Sequence, residues 1–186
     1  MSHSHNHSTT SKNFKTVFFL NFGFTLFEIV GGIFTNSIAI ISDALHDFGD
    51  TISIGLAWFL EKYSHKKSDN KYTYGYGRFS LLGALINAMV LIIGSTFVLA
   101  NAIPRIIEPQ PTNAEGMIIF AIIGVIVNGA AVFKLKNEES MNARVMMLHL
   151  LEDVLGWIAI LAVAIALLFW QTYILDAILS IVITLY

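Results

Sequence analysis

Two pentapeptides hold the side chains best suited to chemistry. HDFGD at 46–50 and HLLED at 149–153 each place a histidine four residues before an aspartate. Residues i and i+4 stack on one face of a helix about one turn apart, so each segment, as a helix, offers an imidazole nitrogen and a carboxylate oxygen in one direction. Two such helices packed face to face would bring His46, Asp50, His149 and Asp153 to two nitrogens and two carboxylates, enough for a tetrahedral metal shell. Zn2+ fits that set best. Mg2+ and Ca2+ favour six or more oxygen ligands and Cu(I) favours sulfur, whereas Co2+, Fe2+, Cd2+ and Mn2+ stay open on ligand type alone. The chain has no cysteine, which excludes thiolate and iron–sulfur sites and any disulfide.

The elements that must position these residues are membrane helices. The 186 residues are 55% hydrophobic and 13% charged, with a mean hydropathy of +0.68, against roughly 25% charged in soluble domains. So much apolar surface must face lipid, where only helices and closed barrels satisfy their own backbones. The apolar stretches are continuous rather than alternating, which selects helices. The expected fold is an all-α membrane protein, a six-transmembrane-helix bundle. Residues 1–13 read as a disordered, His-containing tail, and 14–186 as the transmembrane domain, with spans at about 14–34, 38–60, 79–103, 116–133, 143–170 and 173–186. The segments Glu61–Arg78 and Lys134–Asn142 read as loops, as does PRIIEPQPTNAE, which holds all three prolines. The last stretch reaches only about 21 Å at 1.5 Å per residue, short of a roughly 30 Å hydrocarbon core, so the sixth helix is expected to be truncated.

Charge then fixes orientation and picks out the unusual spans. With the N-terminus inside, ten of the eleven Lys and Arg residues fall on one side and only Arg105 on the other. The positive-inside rule makes that side, with the N-terminus, cytoplasmic. The formal net charge of −2 leaves no basic excess for a nucleic-acid backbone. Ionisable groups at membrane depth are expensive and mark ion pathways or metal sites. Asp43, His46, Asp47 and Asp50 crowd the second span, and His149, Glu152 and Asp153 the fifth. Two histidines cannot neutralise five carboxylates by pairing, which argues for a metal or proton pathway over packing.

Lesser features follow the same logic. Asp43 lies three residues before His46, on the approach to the ligand face, while Asp47 points about 100° away and Glu152 is also off that face. His3, His5 and His7 alternate in the tail and offer mobile imidazoles to a metal at the cytoplasmic mouth. Asn21, Glu28, Asn87 and Asn128 read as interhelical hydrogen-bonding residues.

NSIAIISDALHDFGDTISI at 36–54, YGYGRFSLLGALINAMVL at 74–91 and HLLEDVLGW at 149–157 resemble helix 2, the start of helix 3, and helix 5 of the cation diffusion facilitators, proton-coupled exporters of zinc and related divalent metals. The resemblance covers essentially the whole chain. It implies a transport-site role for His46, Asp50, His149 and Asp153, a zinc preference, a homodimer, and a bacterial inner (plasma) membrane setting. It also implies a cytoplasmic metal-binding domain following helix 6, which is absent from these residues.

The expected activity is zinc export from the cytoplasm in exchange for protons, which compete with the metal for the same deprotonated His and Asp. A passive metal-gated channel or a membrane metal sensor would use the same ligands without proton exchange. An intramembrane metalloenzyme lacks its parts: there is no HExxH, and a closed four-ligand shell leaves no position for water.

Overall fold

The computed structural model describes residues 7–64, 79–136 and 141–185. Among them six α-helices follow one another with no strand: α1 (His7–Thr35), α2 (Ile38–Ser64), α3 (Phe79–Ile107), α4 (Ala114–Leu135), α5 (Met141–Trp170) and α6 (Ile174–Leu185). Each coincides with one apolar stretch of the sequence. Windows in α1, α3, α4 and α5 are long and apolar enough to cross a bilayer: Phe18–Thr35, Leu82–Ile107, Ala114–Leu135 and Met146–Trp170. α2 is continuous but carries three aspartates among its apolar residues, and α6 has 12 described residues. Large apolar side chains such as Ile33, Ile92 and Ile126 are exposed, as expected where lipid is the solvent. The protein is an integral membrane protein of the helical kind.

Three boundaries differ from the sequence expectation. α1 begins at His7, so helix occupies residues 7–13 of the stretch expected to be a disordered tail. That stretch has neither Pro nor Gly, and extending an existing helix adds one hydrogen bond per residue fixed without a new nucleus. α2 continues to Ser64, into the expected loop. α3 passes through Pro104 to Ile107, because a proline near a helix end forfeits one backbone bond while Glu108 N–H still reaches Pro104 O at 2.8 Å. Only Pro109 and Pro111 lie in the connection. Residues 65–78 and 137–140 of the expected loops fall outside the described residues.

The helices sort into two compact units, Met1–Phe27 with Leu45–Gly94, and Glu28–Ala44 with Ser95–Tyr186. In the first, α1 and α2 are joined by polar side chains. Asn21 Nδ2 donates to Thr51 Oγ1 at 2.9 Å and towards Asp47 O at 3.4 Å, and the Thr25 and Thr51 hydroxyls meet at 3.2 Å.

The second unit is organised by the joint between α1 and α2. Asn36 has φ 55°, a left-handed conformation that asparagine tolerates better than most residues. Its N–H donates to Ile33 O, and the Ser37 N–H to Gly32 O, which closes α1 with a Schellman motif. Ser37 then caps α2, its hydroxyl accepting from Ile40 N–H at 3.2 Å. Arg105 donates to both Asn36 O and Asn36 Oδ1 at 2.8 Å. Asn113, the N-cap of α4, donates its N–H to Thr35 O at 2.8 Å. α4 and α5 pack closely where Gly124 meets the fully buried Trp157; a Cβ on Gly124 would lie 2.2 Å from the indole ring.

Candidate metal centre

Helix geometry assembles the two His–Asp pairs, each within its own unit. On α2, in the first unit, His46 Nε2 stands 3.8 Å from Asp50 Oδ2. On α5, in the second, His149 Nε2 stands 3.9 Å from Asp153 Oδ2. Both separations exceed a hydrogen bond. Donors sharing a tetrahedral ion at bond lengths of about 2.0–2.1 Å lie roughly 3.4 Å apart, so a rotamer adjustment of about half an ångström would let either pair grip one ion. The histidines are the more open members, and the Asp153 side chain is the most enclosed at 11% exposure. An open imidazole beside a sheltered carboxylate suits a site that metal enters and leaves.

The neighbouring acids separate as their helical angles require. Asp43 is buried, at 8% exposure, and belongs to the second unit, where its Oδ1 lies 3.5 Å from the position a Cβ on Gly156 would take. Gly156 is three residues beyond Asp153, so Asp43 reaches α5 about one turn from that ligand candidate. Asp47 is buried on another side of α2, in the first unit, and its backbone carbonyl receives the Asn21 amide. Glu152 is exposed. His3 and His5 lie outside the described residues, and His7 is the first residue of α1.

Among the four expected interhelical hydrogen-bonding residues, Asn21 bridges α1 and α2, whereas Asn128 donates to Gly124 O within its own helix at 3.2 Å. Asn87 Oδ1 is buried with no hydrogen-bond partner among the described residues. Glu28 is fully buried.

Asp176 in α6 is the polar residue the sequence reading passed over. It is 1% exposed, and it is the acid of the α6 first turn. Its carboxylate accepts from the Ser37 hydroxyl at 2.5 Å, from Ile38 N–H at 2.8 Å and from Ala39 N–H at 3.4 Å. The signal was present: Asp176, Ser180 and Thr184 repeat every four residues along an otherwise apolar helix, a polar stripe on one face.

Comparison with known proteins adds an independent line. Residues 15–186 match the profile of the cation efflux transmembrane domain. The chain is 33% identical over 185 residues to the zinc transporter ZitB of Pectobacterium atrosepticum, covering 98% of this chain and 58% of that protein. It is 32% identical over 189 residues to the cadmium, cobalt and zinc/H(+)-K(+) antiporter of Bacillus subtilis, covering 100% of this chain and 61% of that protein. It is also 32% identical over 170 residues to the metal cation efflux system protein CzcD of Cupriavidus metallidurans, covering 90% and 54% respectively. The chain thus spans little more than half the length of these relatives.

Proposed function

Because the chain belongs to the cation diffusion facilitator family through its cation efflux transmembrane domain, we propose that it carries Zn2+ out of the cytoplasm across a bacterial inner membrane in exchange for protons. The observation that carries this reading is the recurrence of one motif on two helices: a histidine and an aspartate at i and i+4, with gaps of 3.8 and 3.9 Å, on α2 and on α5. Each pair offers one nitrogen and one carboxylate, and a donor set of two nitrogens and two carboxylates is of the kind zinc takes; His46, Asp50, His149 and Asp153 are the ligands this reading assigns. Names of the relatives support zinc, cadmium and cobalt as the substrates to compare.

The same ligands account for the proton. Metal binds neutral imidazole and ionised carboxylate, so loading releases protons and acid displaces metal. Histidine titrates near pH 6.5, close to working pH; a site opening to a more acidic outside therefore gives up zinc and returns protonated. No separate proton site is required. The positive-inside bias sets the N-terminus in the cytoplasm, where His3, His5 and His7 would gather metal, and the six helices then cross in alternation. The working unit is a homodimer, as the resemblance implies.

The test is zinc flux into liposomes holding the purified protein, with and without an imposed pH gradient. Export predicts that a gradient drives zinc uphill and that dissipating it stops the movement. Downhill flux indifferent to pH would mark a metal-gated channel, and binding without flux a sensor.

A further inference from the structure

α6 meets α2 along its polar stripe, at two levels. At the first, Asp176 takes the hydrogen bonds of the Ser37 hydroxyl and the Ile38 and Ala39 amides. At the second, Ser42 Oγ lies 2.8 Å from Thr184 Oγ1 and 3.3 Å from Ser180 O. The first four N–H groups of a helix have no partner within it, and here each one finds a partner. Ser37 N–H goes to Gly32 O, Ile38 and Ala39 go to Asp176, and Ile40 goes to Ser37 Oγ. A carboxyl group at this end is also well placed against the positive pole of the α2 dipole.

Two contacts separated along a helix fix both its height and its rotation, which one contact cannot do. A slip of one residue turns a helix by 100° and moves it 1.5 Å. The second contact is placed where rotation matters, because Ser42, His46 and Asp50 stand at i, i+4 and i+8 on one face of α2. The hydroxyl held by α6 is one turn from the first proposed metal ligand and on the same stripe.

We propose that Asp176, seconded by the Ser42–Thr184 contact, is a positioning residue for metal binding: it sets the height and rotation of α2 and so aims the His46–Asp50 pair. The role rests on the zinc-binding reading above. Asp176 does not touch the ion. It acts through the first turn of α2, so that α6 guides α2.

A merely structural contact and a positioning one differ in what their loss does. Weakening the fold lowers the amount of active protein and its melting temperature, while the molecules that remain folded bind as before. Misaiming a ligand pair changes affinity, and it changes the preference among ions of different radius. The experiment is calorimetric titration of the full chain with Zn2+ and with Cd2+, for wild type, Asp176→Asn, Asp176→Glu, Ser37→Ala and Thr184→Val, with Asn113→Ala, which removes the side-chain cap of α4, as a stability control. Asp176→Asn is expected to raise the zinc Kd about tenfold and to shift the zinc-to-cadmium ratio. Asp176→Glu should recover part of the loss, because the carboxylate is kept. Ser37→Ala and Thr184→Val should each give about a threefold rise, and Ser37→Ala should add little on top of Asp176→Asn, since both break one contact. Asn113→Ala should lower the melting temperature, as loss of a helix cap does, with Kd and ion ratio unchanged.

If Asp176→Asn melts early yet binds both ions with wild-type constants, Asp176 is structural and the inference falls while the zinc reading stands. If wild type itself binds no zinc, both fall together. If Asp176→Asn does not fold, Ser37→Ala and Thr184→Val decide, and wild-type constants in both overturn the proposal.

Discussion

Asp43 lies against the α5 backbone, its Oδ1 3.5 Å from where a Cβ on Gly156 would stand. The α2 carboxylate therefore meets the helix of His149 and Asp153 one turn from Asp153, at a place kept open by a glycine. A carboxylate there attracts a cation without being one of the four donors, and local charge of this kind raises encounter rates by about tenfold or more. Asp43→Asn is expected to slow zinc flux about tenfold while leaving the zinc Kd within about threefold of wild type, read by liposome transport and calorimetry in parallel. A Kd loss as large as that of Asp50→Asn would instead make Asp43 a ligand. Gly156→Ala, whose new methyl would be at ordinary contact distance, should change neither quantity much.

Each histidine of the two pairs is expected to be indispensable, and the pairs equivalent. Outer-shell partners of a metal typically change affinity 10–100-fold, and a lost ligand should exceed that. His46→Ala and His149→Ala are each expected to weaken zinc binding by about 100-fold or more with helical content unchanged by circular dichroism. Binding to wild type should release protons, seen as a heat that varies with the ionisation enthalpy of the buffer. The sign of the pH effect follows: protons compete with the metal for the donors, so affinity falls as pH is lowered. An affinity independent of pH would show that no protonatable donor holds the metal.

The pairs were legible in the sequence because their information is local. An i, i+4 spacing becomes a shared face as soon as a helix forms, and nothing distant is needed to bring His149 to 3.9 Å from Asp153. Helix positions were legible for a similar reason, since membrane length sets apolar run length. The role of Asp176 was not, because its partners Ser37, Ile38 and Ala39 precede it by 137–139 residues. An acid in the first turn of an apolar helix looks, read alone, like that helix's own dipole partner. Only the packing shows that it serves the end of a different helix. The ends of elements failed in the same way: the passage of α3 through Pro104 depends on backbone partners that a proline cluster hides.

The α1–α2 joint makes its own prediction through Asn36, which combines φ 55° with two hydrogen bonds from Arg105. A left-handed backbone costs an ordinary residue about 1–2 kcal/mol, so Asn36→Ala adds strain and removes the Oδ1 acceptor as well. Asn36→Gly relieves the strain and loses only the side-chain bonds. Melting of the purified protein should therefore rank wild type above Gly above Ala, with Asn36→Ala down by about 1–2 kcal/mol. Equal melting of the two variants would mean that backbone conformation at this joint carries no load.

Two glycines on α4 give opposite expectations for one substitution. A Cβ on Gly124 would fall 2.2 Å from the Trp157 ring, whereas one on Gly129 meets nothing within 4 Å among the described residues. Trp157 is fully buried and its indole is rigid, so it cannot fold away from a new methyl; α4 and α5 must separate instead. Overpacking of this kind typically costs about 1–3 kcal/mol, and Gly124→Ala should lose that much in a thermal or denaturant melt. Gly129→Ala gains up to about 1 kcal/mol of helix propensity with no steric charge against it. Alanine should thus destabilise at 124 and be neutral or stabilising at 129. Equal destabilisation at both would indicate that α4 simply prefers glycine flexibility, and would remove close approach to Trp157 as the reason for Gly124.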